Sequence, residues 1–272
     1  MKRAIGTNIF GSFHRQDTCI ESLKRVEEKY PDIIDLYNIQ PEENPQEENG
    51  LRTLPLLRET CKNIIPNCKK EKPMLKEMFK CLADLNGYDY FLFTNSDIIL
   101  SDRFIKLILD NPDKDSFSGA RLTIQDIETL DDEIIPIQYQ VAGFDTIAIK
   151  TKWWKENEDK FPDYVYAEPC WDVHYATLLK KFGNSMFVNK WPAAVFHIHH
   201  EIAWSEMTPE RQYNEDMLFK KHALDSTMWH TFLFQVLLKR TPPRGFYNPF
   251  NNEEELEEKM FNEANYRNKS SG

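Results

Sequence analysis

The stretch YDYFLFTNSDIIL, residues 88–100, constrains the fold more than any other part of the chain. Tyr88 to Thr94 is mostly aromatic or apolar, without the in–out alternation of a half-exposed strand. A run of that kind suits a strand covered on both faces, as in a parallel sheet sandwiched by helices. The chain's opening points the same way. Ala4 to Phe10 reads as a strand, and Thr18 to Lys29 as a helix with Ile20, Leu23 and Val26 at helical spacing. Pro31 stops that helix, and DIIDLYNI reads as a second strand. Strand–helix–strand favours parallel pairing, so the expected class is α/β with a mostly parallel sheet.

Size and composition bound the rest. At 272 residues and 41% hydrophobic, the chain can build one large domain or a domain with an appendage. Aromatics at 13% are too plentiful for a disordered chain. The net charge of −10 disfavours a nucleic-acid partner, whose binders show a basic face, but a local groove with Arg52, Lys69 and Lys70 keeps a nucleic-acid acceptor open. Five cysteines form no CxxC pair and read as reduced thiols, which suggests the cytoplasm. The N-terminus lacks a long apolar core of the secretory type, and no apolar run reaches the length of a membrane span. The segment MWHTFLFQVLL, interrupted by His230 and Gln235, reads as a docking helix.

Along the chain, QPEENPQEENG reads as a solvated acidic loop and Leu54 to Lys62 as a short helix. Met74, Leu75, Met78, Phe79, Leu82 and Leu85 share one helical face, ended by Asn86-Gly87. A helix is expected over 102–109, strands over 116–124, 134–141 and 145–149, and a helix over 152–157. Pro169 to Phe182 is the clearest helix, with Trp171, Tyr175, Leu178, Leu179 and Phe182 along one stripe. Short strands at 186–188 and 194–196 follow, then a helical extension with an acidic tail. The expected division is a catalytic domain over 1–205 and an extension over 206–272.

Three segments carry chemistry. Asp97 follows a buried strand, at the edge where ligands of open α/β sheets gather. A carboxylate there can hold a divalent cation, Mg²⁺ or Mn²⁺, or simply cap a turn. Glu168 and Asp172 flank a helix start, where the dipole favours an anion and where a general base can meet a hydroxyl. VFHIHHE places three histidines in four positions after a strand, as metal ligands or as a polar turn.

In this order, the segments resemble the GT-A class of nucleotide-sugar glycosyltransferases, of the DxD type and family-2-like. FLFTNSDIIL resembles the strand bearing the DxD motif, with Asn95 in place of the first acid. VAGFDTIAIKTKWW resembles the Gly-x-Asp segment, EPCWDVHYATLLKKFG the helix whose N-terminal acid faces the acceptor, and VFHIHHE the late histidine element that closes the metal site. The resemblance covers roughly residues 4–200. It implies transfer of a sugar from a nucleotide-diphosphate donor, a UDP-sugar foremost, to a hydroxyl of a glycan or other acceptor. It implies Mn²⁺ or Mg²⁺ held by Asp97 with His197 as first choice and His200 as a further ligand. Asp172 is then the base and Glu168 the second candidate. Phe10, Gly11 and Ser12 are expected near the nucleotide base, with Asn95, Ser96 and Asp145 around the donor. Lys72 is expected at the phosphates, with Arg52, Lys69 and Lys70 as further candidates.

Two other readings stay open. Cys170 and His174, four apart on a helix, could join His197 and His199 in a zinc hydrolase site. Asn95 in place of an acid also fits a non-catalytic binding protein on a degenerate transferase fold.

Overall fold

Both flanks of the 88–100 stretch are covered, as its unbroken apolar run requires. The computed structural model describes residues 2–9, 14–41, 50–54, 57–68, 71–131, 134, 136–138, 143–188, 193–200 and 207–221. Its strands are β1 (Arg3–Thr7), β2 (Ile34–Asn38), β3 (Arg52–Thr53), β4 (Tyr90–Thr94), β5 (Ile98–Leu100), β6 (Ser116–Gly119), β7 (Leu122–Ile124), β8 (Pro136–Gln138), β9 (Thr146–Lys150), β10 (Ser185–Val188) and β11 (Val195–Ile198). Its α-helices are α1 (His14–Lys29), α2 (Cys61–Ile64), α3 (Leu75–Ala83), α4 (Asp102–Asp110), α5 (Thr151–Asn157), α6 (Trp171–Phe182) and α7 (Pro209–Glu215).

Among the described residues the main sheet has seven strands in the order β10-β6-β9-β4-β1-β2-β3. The β1–β2, β1–β4, β2–β3 and β6–β10 pairs are parallel; β9 runs antiparallel between β4 and β6. The alternation along β4 shows why no polar residue interrupts it. Phe91 and Phe93 enter the core under α3, α5 and α6, whereas Tyr90 and Leu92 enter the opposite core under α1 and α4. Phe79 of α3 centres the first core, with ring centroids 5.4–5.6 Å from Phe91, Phe93, Trp154 and Tyr175. Both cores are apolar layers of the kind that a doubly covered sheet must bury.

A second sheet, β5-β11-β7-β8, lies beyond the carboxyl end of β4. It arises because the 116–124 run is two strands, not the one expected. β6 ends at Gly119, where an added Cβ would stand 2.5 Å from Val195 Cγ2 and 2.9 Å from Phe104 Cε2. The chain passes through Ala120-Arg121 and resumes as β7, parallel to β11.

Other expectations shift for identifiable reasons. The 54–62 helix shrinks to α2, because Leu57 bridges Pro41 and Thr60 bridges Pro73, so local propensity yields to pairing. β1 ends at Thr7, three residues short of the expected strand end. α6 starts at Trp171, and Phe182 at the end of its stripe is 36% exposed. The α7 region docks on the main body through Asn214, which donates to the Val165 and Pro169 carbonyls and accepts from the Val165 N–H. The acidic tail and the 228–238 segment lie outside the described residues.

Candidate active site

The carboxyl end of β4 delivers Asn95-Ser96-Asp97 to a tight turn before β5. Asp97 thereby faces β11, whose His197 sits opposite Ile98 in the antiparallel register. Asp97 Oδ2 lies 3.3 Å from His197 Nε2 and 3.1 Å from His200 Nε2. Burial raises the Asp97 pKa, but hydrogen bonds from the two imidazoles outweigh it and hold the carboxyl well below the usual carboxylate range. Asp97 Oδ1 and His197 Nδ1 are buried with no hydrogen-bond partner among the described residues. His199, between His197 and His200 in sequence, is exposed and its backbone N–H donates to the Ile124 carbonyl.

A carboxylate and two imidazoles converging in this way fit a divalent cation. Their ligand atoms all lie within 4.8 Å of one another. Separations near 3 Å match the edge of an octahedron with bonds of about 2.1 Å. Two nitrogen donors favour Mn²⁺ over Mg²⁺.

Asp145, just before β9, is the hub of a second cluster. Its Oδ1 accepts from Asn95 Nδ2 at 2.9 Å and its Oδ2 from Arg121 Nη1 at 2.5 Å, while its carbonyl accepts the Asn95 N–H at 3.0 Å. This gives Asn95 a physical reason to be an amide. An acid there would set two carboxylates at hydrogen-bond distance. Asn95 Oδ1 remains buried and unpartnered. Ser96 Oγ accepts from Gln16 of α1 at 3.0 Å, which pins the turn from the other side.

Asp172, in the first turn of α6, accepts the Phe144 N–H at 3.0 Å. Part of the residue's surface stays open, but burial of the carboxylate, and then the charge of Asp145, raise its pKa to about 6. The Phe144 N–H and Arg121 oppose that rise. The helix start therefore does not keep this acid in the ordinary range. Burial lowers the Arg121 pKa, but its contact with Asp145 and the charges of Asp145, Asp172 and Asp97 outweigh that and raise it. Sequence reading missed this arginine. The available signal was a single base inside the SGARLTI strand run.

Glu168 is buried and pairs with Lys72 at 2.5 Å. Its loop is conformationally unusual: Ala167 has φ 61° and Cys170 φ 87°, the left-handed region that costs a side chain roughly 1–2 kcal/mol. Such strain gathers where a loop is held for function. Lys72 thus faces Glu168, and Arg52 pairs with Asp35 in the main sheet. Phe10, Gly11, Ser12, Lys69 and Lys70 lie outside the described residues. Of the hydrolase ligands, His174 Nδ1 is bound to the Tyr164 hydroxyl at 2.6 Å. Among the described residues no cluster of metal-ligating groups joins Cys170 and His174 to His197.

No protein-family model matches the sequence, and no curated protein does. Solved structures do. TarS of S. aureus, residues 1–349, superposes with a TM-score of 0.51 at 13% identity, over 97% of this chain and 79% of TarS. The fold is GT-A. The catalytic domain of Drosophila β1,4-galactosyltransferase 7, in complex with xylobiose, matches at 8% identity and a TM-score of 0.42 over 79% of each chain. A putative glucose-1-phosphate thymidylyltransferase from Bacillus anthracis matches at 13% identity and a TM-score of 0.38, over 68% of this chain and 85% of that one. A GT-A fold alone does not name a reaction, which has to be argued from the site. In this GT-A chain the Asn95–Asp97 turn, Asp145, the start of α6 and the end of β11 all meet at one sheet edge. Among the described residues no helix is long and apolar enough to cross a membrane.

Proposed function

We propose that this chain is a metal-dependent glycosyltransferase that moves a sugar from a nucleotide-diphosphate donor, a UDP-sugar foremost, to an acceptor hydroxyl on a glycan or similar compound. The observation that carries the reading is the convergence of Asp97 with His197 and His200, from distant parts of the sequence, on a GT-A fold. Asp97, His197 and His200 would hold Mn²⁺ or, less well, Mg²⁺. When bound, the cation would offset the charge that builds on the leaving diphosphate.

The remaining roles belong to the chain's own groups. Asp172 takes the proton of the acceptor hydroxyl as its oxygen attacks the anomeric carbon and the bond to the diphosphate breaks. A pKa raised to about 6 suits a base that works near neutral pH. This assignment implies inversion at the anomeric carbon. Asp145, braced by Arg121 and Asn95, fixes the wall against which donor and acceptor are positioned. Ser96, held by Gln16, and Asn95, held by Asp145, shape the turn under the donor. Lys72 and Glu168 form a charged pair at the helix start, where Lys72 can turn to a phosphate and Glu168 is the second acid of the site.

The test is a panel of nucleotide sugars assayed for released nucleoside diphosphate, with Mn²⁺ and with a chelator. Turnover of one donor, lost on chelation, is expected. No turnover of any donor, or stoichiometric zinc that survives purification at Asp97, His197 and His200, would overturn the reading.

A further inference from the structure

A further group of potential metal ligands, Cys61, Cys68 and Glu210, lies apart from Asp97, His197 and His200. Cys61, at the start of α2, is fully buried, and Cys68 is half-buried. Their sulfurs stand 2.6 Å apart, well inside ordinary non-bonded contact. Cys68 Sγ also donates to Glu210 Oε1 of α7 at 3.1 Å. Ile65, Met74 and Val165 pack with Cys61, and Tyr213 and Cys68 lie against them.

We propose that Cys61 and Cys68 are a redox modification site, which a low-molecular-weight disulfide such as oxidised glutathione converts to an intramolecular disulfide. The sulfur separation favours this over a shared metal. Two thiolates on a tetrahedral zinc, with Zn–S near 2.3 Å, sit roughly 3.7 Å apart. A disulfide needs about 2.05 Å, a small closing motion from the observed contact.

The step balances as thiol–disulfide exchange. Cys68, the more open thiol, passes its proton to Glu210 and attacks one sulfur of the small disulfide. That S–S bond breaks and one small thiolate leaves. Cys61 then attacks the Cys68 sulfur and displaces the second thiolate. The protein loses two electrons and two protons, and the small disulfide gains both as two thiols. Burial, with the neighbouring Cys61 and Glu210, pushes the Cys68 thiol upward, so the first attack is slow and the pair responds to sustained oxidation.

The cross-link would be felt beyond its own loop. The Cys61 N–H donates to the Lys72 carbonyl at 2.9 Å, and the Lys72 N–H donates to Cys61 Sγ at 3.3 Å. Lys72 in turn pairs with Glu168. On the other side, Glu210 belongs to the helix whose Asn214 clamps Val165 and Pro169, the ends of the Glu168 loop. Oxidation removes the Cys68 donor from Glu210 and ties Cys61 to the far end of its loop, so both supports of the Lys72–Glu168 pair change together.

The full chain, treated with oxidised glutathione, alkylated in denaturant and digested with trypsin without reductant, decides this. Lys62 lies between the two cysteines, so the peptides Glu59–Lys62 and Asn63–Lys69 stay together solely through the new bond. The expected result is that joined pair, a loss of about 2 Da from the intact chain as two hydrogens leave, and a fall in alkylatable thiols from five to three. Reduction restores all of them, Cys68→Ser abolishes the link, and Cys81→Ser leaves it. Five alkylated thiols after oxidation would overturn the proposal. One equivalent of zinc in the purified protein, lost in Cys68→Ser, would overturn it as well.

Discussion

Asp172 is an acid held where its charge costs energy. Its pKa in the folded chain, about 6, lies above the ordinary 3.8. The native state therefore binds that proton more tightly than the unfolded state. Stability falls as pH rises between those two values, and the full penalty is present above pH 6. Asp172→Asn should stabilise the protein at pH 7 by roughly 1–3 kcal/mol while lowering transfer by about 10² to 10⁴. Melting midpoint and transfer rate, measured on one preparation, should move in opposite directions; a residue with a purely architectural role would lower both. In the unmodified chain, the transfer rate at saturating metal and donor should fall as pH drops through about 6. The histidines offer a second contrast. His197 is buried against Asp97 and His199 is exposed, so His197→Ala should weaken Mn²⁺-dependent UDP binding strongly and His199→Ala hardly at all. Equal losses in a UDP titration would mean that the register of β11 does not select the ligand.

Elements set the site through a few close approaches. Gly119 is where β6, α4 and β11 meet, and Val195, the atom nearest its missing side chain, lies two residues before His197. Gly119→Ala should cost about 1–3 kcal/mol by overpacking and should also weaken metal-dependent UDP binding, because β11 has to move to make room. Urea unfolding and a UDP titration on the same variant check both parts; lost stability with unchanged binding would separate the junction from the site. This junction is also where sequence reading broke down. An apolar run such as SFSGARLTI has no local mark that it leaves one sheet and enters another, since both strands present the same alternation. α1, α3 and α6 were legible because their stripes depend on spacing alone. The antiparallel insertion of β9 was not, because strand direction is decided by which neighbours it meets.

On the scale of the whole fold, two cores on either side of β4 hold the strand whose carboxyl end carries Asn95 and Asp97 to Asp145, His197 and His200. The places of Asp97 after β4, Asp172 at the start of α6 and His197 on β11 were legible in the sequence, since each belongs to a recognisable strand or helix. Arg121 and the Asp145–Asn95 bond could not, because their meaning lies in contacts between segments tens of residues apart. The same is true of the Cys61–Cys68 contact with Glu210, which needs α7 folded back against α2. The central claim is that Asp97, with His197 and His200, makes donor binding depend on a divalent cation. Calorimetric titration of UDP into the protein with and without Mn²⁺, repeated on Asp97→Ala with its fold checked by circular dichroism, tests it most directly. The expected result is UDP binding that requires Mn²⁺ and is abolished in the folded variant; UDP binding that ignores Mn²⁺, or that survives unchanged in Asp97→Ala, would remove Asp97 from the donor site.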